Sequence, residues 1–186
     1  FSSCSSLRTV ILHDKITEIG EYAFSYNTSL QGILTDRGWE EDNIPWPTSL
    51  ETIGIYAFES CSALTGADME NTQITTIPTA AFMLCKNLLP HTTKMPRELE
   101  VIENSAFYGC ESLTDIKLPV TLQKLDAFAF VYCTGLRTVT CFAESAPTIG
   151  YESFPKECKQ QMTLKVPSGS DYSTWGDYFS SIVSIN

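Results

Sequence analysis

Seven cysteines, two histidines and a run of acidic residues are the side chains of this 186-residue sequence with the most capacity for chemistry. Cys4, Cys61, Cys85, Cys110, Cys133, Cys141 and Cys158 include no Cys-x-x-Cys pair, the spacing expected of a structural zinc site. Seven is an odd number, so internal disulfides would leave at least one thiol over. His13 and His91 lie far apart, and neither belongs to a metal-binding histidine pair. The sequence holds no Gly-x-Ser-x-Gly elbow and no phosphate loop. A catalytic site needs a nucleophile, a base and a stabilising group brought together. These residues predict none, so the expectation is a protein with no catalytic residue, no metal and no cofactor.

Binding is the better use of the remaining side chains. Trp39 beside Glu40, Glu41 and Asp42 has the makeup of an aromatic anchor with a polar rim, a composition enriched at interfaces. The alternative is that its indole folds back onto the chain beneath it. Asp36, Asp68 and Glu70, with the loop acids, form an oxygen-rich set of the kind that suits calcium. Against that stands an ion pair between Glu70 and Lys94, which is the simpler reading.

Bulk composition narrows the partners. Apolar residues make up 43% and charged residues 18%, values that support a packed core. The net charge of −10 argues against nucleic acid and anionic membrane surfaces as partners. No apolar run is long enough to cross a bilayer.

The elements that must position these residues come from an internal repeat. Phe1, Phe24, Phe58, Phe82, Phe107, Phe130 and Phe154 recur at spacings of 23, 34, 24, 25, 23 and 24. Each complete copy carries Ala (Ser153 in the last) one residue before the Phe. Five residues before it stands Ile19, Ile53, Ile77, Ile102, Leu125 or Ile149, and six after it comes Leu until Gln160. The run Leu113, Ile116, Leu118 alternates as a short strand with one buried face. One such strand cannot bury its apolar side alone, but stacked copies make a parallel sheet over a continuous core. The Ile-x-x-Ala-Phe segment then returns the chain along the opposite side as a short extended piece and a tight turn. A right-handed coil is expected from the crossover rule for parallel strands.

Five cysteines resolve into one column of this repeat. Cys4, Cys61, Cys85, Cys110 and Cys133 each follow a marker Phe by three residues, and Asn27 fills the column in the remaining copy. An exchange of Cys for Asn predicts an inward position from which a small polar group donates to backbone carbonyls of the turn. The column is read as buried free thiols, with Cys141 on an inward strand position and Cys158 one residue off. Three places depart from the pattern. About ten extra residues enter at 35–47, so that Ile44 and Trp46 are expected in core positions and 36–43 in a protruding loop. After Phe82 the copy slips by two, giving Thr93 and Met95 the inward strand positions. From Ala146 the repeat degrades, which divides the chain into repeats over 1–145 and a last coil with cap over 146–186. Tyr172, Trp175, Tyr178, Phe179, Ile182, Val183 and Ile185 are expected to cover the core there, with a short helix over 171–179 and a strand over 182–185.

Outward positions on the predicted strand face are Ile11, Leu34, Asp68, Thr92, Lys117 and Thr140, with His13, Asp36, Glu70, Lys94, Pro119 and Phe142 in the next row. Leu34, Asp36, Asp68, Glu70, Lys94, Lys117 and Phe142 are the candidate binding surface there, without an aromatic row for stacking on sugars.

The unit Ile-x-x-Ile-Gly-x-x-Ala-Phe-x-x-Cys-x-x-Leu-x-x-Ile-x-Leu-Pro, clearest at 16–30, 50–64 and 99–119, resembles the BspA-type leucine-rich repeat of bacterial surface proteins. The ending Val166-Pro167-x-Gly169 with Tyr172, Trp175, Phe179 and Ile182-Val183 is similar to the C-terminal cap of Bacteroides-type members, although Tyr172 and Trp175 stand closer together than in that cap. The resemblance implies an α/β repeat fold, a leucine-rich-repeat solenoid with a parallel sheet on one face and short strands and turns on the other. It further implies a secreted or lipoprotein-anchored surface protein acting through binding or adhesion. With no catalytic set among its residues, the expectation is a non-enzymatic recognition or adhesion module for an extracellular protein or glycan. The rival expectations are a structural spacer within a larger surface protein and a cryptic metal-dependent enzyme. The sequence opens inside a repeat at Phe1, so targeting signals are expected upstream, and the uncovered Phe1 end is expected to offer a surface for self-association.

Overall fold

The structure, a computed structural model, describes residues 1–35 and 45–186. Two rows of parallel strands alternate along the chain. One row holds β1 (Thr9–Leu12), β3 (Gly32–Thr35), β5 (Ala67–Asp68), β7 (Thr93–Lys94), β9 (Asp115–Leu118), β11 (Thr138–Cys141), β13 (Thr163–Pro167) and β14 (Ser181–Ile185). The other holds β2 (Glu18–Ile19), β4 (Thr52–Ile53), β6 (Thr76–Ile77), β8 (Val101–Ile102), β10 (Lys124–Leu125) and β12 (Thr148–Ile149). The result is the expected leucine-rich-repeat solenoid. Among the described residues its only helices are two 3₁₀ segments, Lys156–Gln161 and Ser173–Tyr178. The second lies within the stretch expected to be a short helix. No described helix is long and apolar enough to cross a membrane.

The core is a stack of phenylalanines running the length of the coil. Neighbouring rings from Phe24 through Phe154 lie 5.3–5.5 Å apart and within 16° of parallel. Phe1 extends the stack at 5.9 Å but is exposed. The spacing is set by the backbone. The Phe24, Phe58, Phe82 and Phe107 amides bond the carbonyls of Ala57, Ala81, Ala106 and Ala129 in the next coil, at 2.8–2.9 Å. Small residues before each Phe allow that approach. Close approach also fixes Gly54, where a Cβ would fall 2.3 Å from the Glu21 amide nitrogen.

The turns around Phe24, Phe58, Phe82, Phe107 and Phe130 each use two left-handed residues, two before and two after the Phe, while Phe154 has only the first and Phe1 only the second. Tyr22, Tyr56, Ala80, Ser105, Phe128 and Glu152 form the first column, and Ser3, Tyr26, Ser60, Leu84 and Tyr132, with Gly109, the second. Left-handed φ costs an L-residue about 1–2 kcal/mol, so the turns are held by packing and hydrogen bonds rather than by local preference. Part of that hold comes from the Cys/Asn column. Cys61, Cys85, Cys110 and Cys133 each donate to the carbonyl of the Phe in the preceding coil, at 3.0–3.2 Å. Asn27 uses its amide nitrogen to serve two carbonyls, Phe24 at 2.8 Å and Phe1 at 2.9 Å. The four thiols are buried, and burial pushes Cys61 up to about 12 and Cys85 and Cys110 well above the ordinary value. Cys4 departs from the expected burial. It is exposed, because no described coil stacks on its outer side.

At the other end Trp175 lies against Phe154 with ring centres 5.5 Å apart, and its indole N–H donates to the Pro147 carbonyl at 3.0 Å. Tyr172 donates to the Ala143 carbonyl at 2.7 Å, and Phe179 packs edge-on to Phe154. Ile182 and Val183 differ from expectation: both are exposed. They belong to β14, which adds a strand beside β13 without laying either side chain on the core.

Candidate functional site

The strand row is not one sheet. It breaks into β1–β3, β5–β7 and β9–β11–β13–β14, so ladders are missing between β3 and β5 and between β7 and β9. The first break follows the 35–47 insertion. Trp46, on its far side, is buried against Phe58 and Phe82 and donates its amide to the Asp68 carbonyl at 2.8 Å. Trp39, Glu40, Glu41 and Asp42, together with Asp36 and Ile44, lie outside the described residues.

The second break is the site of interest. Pro90, His91 and Thr92 form a turn before β7, closed by the Thr93 amide on the Leu89 carbonyl at 3.0 Å. Pro96 follows Met95 on the other side. Proline cannot donate to a ladder, so β7 is confined to a short segment between two prolines. Between β7 and β9 lies a groove of about 580 Å³, walled by Pro90, Met95, Pro119 and Phe142 and floored by Thr93, Ile116 and Leu118. Phe142, more than a third exposed, also borders an open depression of about 730 Å³ formed with the 120–123 and 143–147 segments.

The charges around the groove are partly spent. Lys94 binds Asp68 at 2.9 Å and Glu70 at 3.7 Å, and Arg97 binds Glu70 at 3.3 Å. The hydrogen bond to Asp68 leads the influences that raise the Lys94 ammonium above its usual value, against opposing desolvation. Asp68 and Glu70 therefore already carry protein cations, which leaves less negative charge for a calcium ion. Among the described residues Lys117, fully on the surface of β9, has no ion pair, and Asp115 bonds only Thr114 Oγ1 at 3.1 Å. His91, on the rim, has no carboxylate partner among the described residues.

The register alters two placements. Thr93 and Met95 do face inward, but the outward residue between them is Lys94, which aligns with Asp68 across β5–β7. Lys94 is thus not in the outer row with Glu70. Thr92 is not on the outward face: it is buried in the turn, donating to the Thr65 carbonyl at 2.7 Å. Asp68, expected on the surface, is only 4% exposed, with the Lys94 ammonium 2.9 Å from its carboxylate. Leu34, next to Ile11 in the β1–β3 register, is half-buried, while Lys117 and Phe142 are exposed. Of the candidate face, the structure gathers Glu70, Lys94, Lys117 and Phe142 around one groove. Aromatic residues do form surface pairs, but along the turn side: Tyr22 stacks on Tyr56 at 5.0 Å, and Tyr108 meets Tyr132 edge-on at 5.1 Å.

Comparison with known proteins agrees with this architecture. A leucine-rich repeat protein of T. pallidum superposes with a TM-score of 0.69 at 27% identity, covering 81% of this chain and 63% of that one. A leucine-rich repeat protein of Bacteroides ovatus gives 0.62 at 22% identity, covering 100% of this chain and 56% of that one. The chain thus spans about three fifths of the length of these relatives. No curated protein sequence matches significantly. The family of the BspA type leucine-rich repeat region matches in six copies, over residues 1–93, 37–161 and 90–183. With that match spanning almost the entire sequence, this chain belongs to the BspA-type leucine-rich repeat family.

Proposed function

We propose that this chain is a non-enzymatic recognition module of a bacterial surface protein, binding an extracellular protein or glycan through its strand face. The observation that carries the reading is the groove between β7 and β9, the place where a regular face opens into a concave site. Its apolar walls with a few convergent polar groups, Lys117, Asp115 and His91, have the composition of a binding site. An acidic surface with net charge −10 favours protein or neutral glycan partners over nucleic acid.

A second reading, a spacer that holds other domains apart, draws on the continuous phenylalanine stack, which stiffens the coil from end to end. An array of extracellular proteins and glycans, probed with the intact protein and with Phe142→Ala, separates the two. Recognition through the groove predicts ligands whose signal falls with Phe142→Ala and persists with Tyr132→Ala on the turn side. An array on which the intact protein finds no ligand would leave the spacer.

A further inference from the structure

The groove is a gap in a hydrogen-bonded sheet, and its walls are strand edges. Along β9 the Thr114 and Leu118 carbonyls accept bonds from Thr138 and Phe142 in the next coil. Backbone groups in a parallel ladder alternate between the two neighbours. The N–H and C=O of Asp115 and Lys117 therefore point the other way, toward β7. On β7 the Thr92 and Lys94 carbonyls accept from Ala67 and Met69 of the preceding coil, which turns the Thr93 carbonyl and the Met95 amide toward β9. No backbone hydrogen bond joins β7 to β9. Both edges of the groove thus present vacant ladder positions that face each other.

A second observation marks the same place. Thr93 is 8% exposed and lines the groove, and its hydroxyl has no hydrogen-bond partner. An unpaired buried hydroxyl is costly and uncommon in a folded protein. This buried hydroxyl, on the inward side of β7, belongs to the residue whose carbonyl is one of the vacant ladder positions. The inward side chains beside them, Met95, Ile116 and Leu118, are apolar, and the outward ones on β9, Asp115 and Lys117, are charged.

We infer that the groove takes an extended peptide segment of a partner protein, which completes the ladder by bonding its backbone to the free edge of β9 at Asp115 and Lys117 and to Thr93 and Met95 across the gap. This rests on the groove being the recognition site and names its ligand. A strand added to an edge draws affinity from main-chain bonds and selectivity from alternate side chains. The peptide this site fits alternates apolar residues, turned onto Met95, Ile116 and Leu118, with polar ones, of which an acidic residue meets the unpaired Lys117. The turn that supplies the Pro90 wall and the two prolines that shorten β7 are what hold the gap open.

Selection from a displayed library of random linear peptides supplies the probe. The expected binders carry apolar residues at every second position. In the bound state the amides of Asp115, Lys117 and Met95, which exchange rapidly in the free protein, become slow in hydrogen exchange. N-methylation of the selected peptide lowers affinity roughly tenfold at residues of both parities within the groove, because successive amides bond alternately to β9 and to the Thr93 carbonyl, and little at residues outside it. On the protein, Lys117→Pro removes an amide from a vacant position and is expected to abolish binding, whereas Lys117→Met keeps the amide and most of the affinity. Should the proline variant fail to fold, the N-methyl series decides. Indifference to N-methylation on either parity, or protection elsewhere on the coil, overturns the inference. So does a library without binders: if array ligands still depend on Phe142, only the peptide assignment falls, and if the array too is silent, the recognition reading falls with it.

Discussion

The buried thiol column makes the stability of this protein depend on alkaline pH in a calculable way. Cys61 is held up to about 12, mainly by burial, against an ordinary thiol value of 9.0, while Cys85 and Cys110 are pushed well above it by the same cause. The unfolded chain releases these protons above pH 9 and the folded chain does not. A proton held more tightly in the folded state means that stability is intact below the unfolded value and falls as pH rises toward the folded one. Between about pH 8 and about pH 10 the unfolded thiol gains one unit of deprotonation free energy, about 1.4 kcal/mol, while the folded thiol gains almost none. Cys85 and Cys110, pushed up by the same burial, add losses in the same direction. Urea unfolding under reducing conditions at the two pH values measures the total. Tyrosines and lysines titrate in the same window, so the test is a difference. Cys61→Ser lowers stability at neutral pH but removes one thiol's share, so its loss between the two pH values is smaller by about 1.4 kcal/mol. The same loss in parent and variant would refute the reasoning, because it would mean that the Cys61 thiol is not kept neutral by the fold.

Three further expectations follow from the packing. In the folded, reduced protein a thiol reagent modifies Cys4, which is exposed, and spares the six buried cysteines until denaturant is added; fast labelling of several thiols would contradict the buried column. Phe107→Ala, in a fully buried ring between Phe82 and Phe130, lowers stability by about 3–5 kcal/mol, whereas Phe1→Ala at the exposed end of the stack changes it by less than about 0.5 kcal/mol; denaturation midpoints compare them. Gly54→Ala, whose Cβ would meet the Glu21 backbone at 2.3 Å, costs about 1–3 kcal/mol, while Gly20→Ala, with open space around its Cβ, costs far less, and thermal melts of the two variants rank them.

The coil architecture was legible because its physics repeats. Phe, Ala, Leu and Cys columns report the same backbone position in every coil, and the exchange of Cys for Asn27 marks a donor to turn carbonyls. Register was harder where a copy gained residues. Thr93 and Met95 were placed inward by the slip, yet Lys94 and Thr92 were set one step from their actual neighbours, because counting from Phe82 does not say how the turn at 90–92 absorbs the extra residues. The left-handed columns carried no signal at all, since Tyr22, Tyr56, Leu84 and Phe128 are residue types that ordinarily avoid that conformation. The groove was missed for a different reason. It arises from a ladder that does not form, and columns of side chains say nothing about which strand edges meet. Pro90 and Pro96 bracketing a short strand were the available sign.

The central claim, that recognition runs through the groove between β7 and β9, is tested most directly by the affinity of an array-identified ligand for the intact protein, Phe142→Ala and Tyr132→Ala. An aromatic wall that anchors the ligand predicts a loss of about tenfold or more for Phe142→Ala and no change for Tyr132→Ala, which is on the turn side. Unchanged binding to Phe142→Ala, or a loss confined to Tyr132→Ala, would contradict the account and move recognition to the other face of the coil.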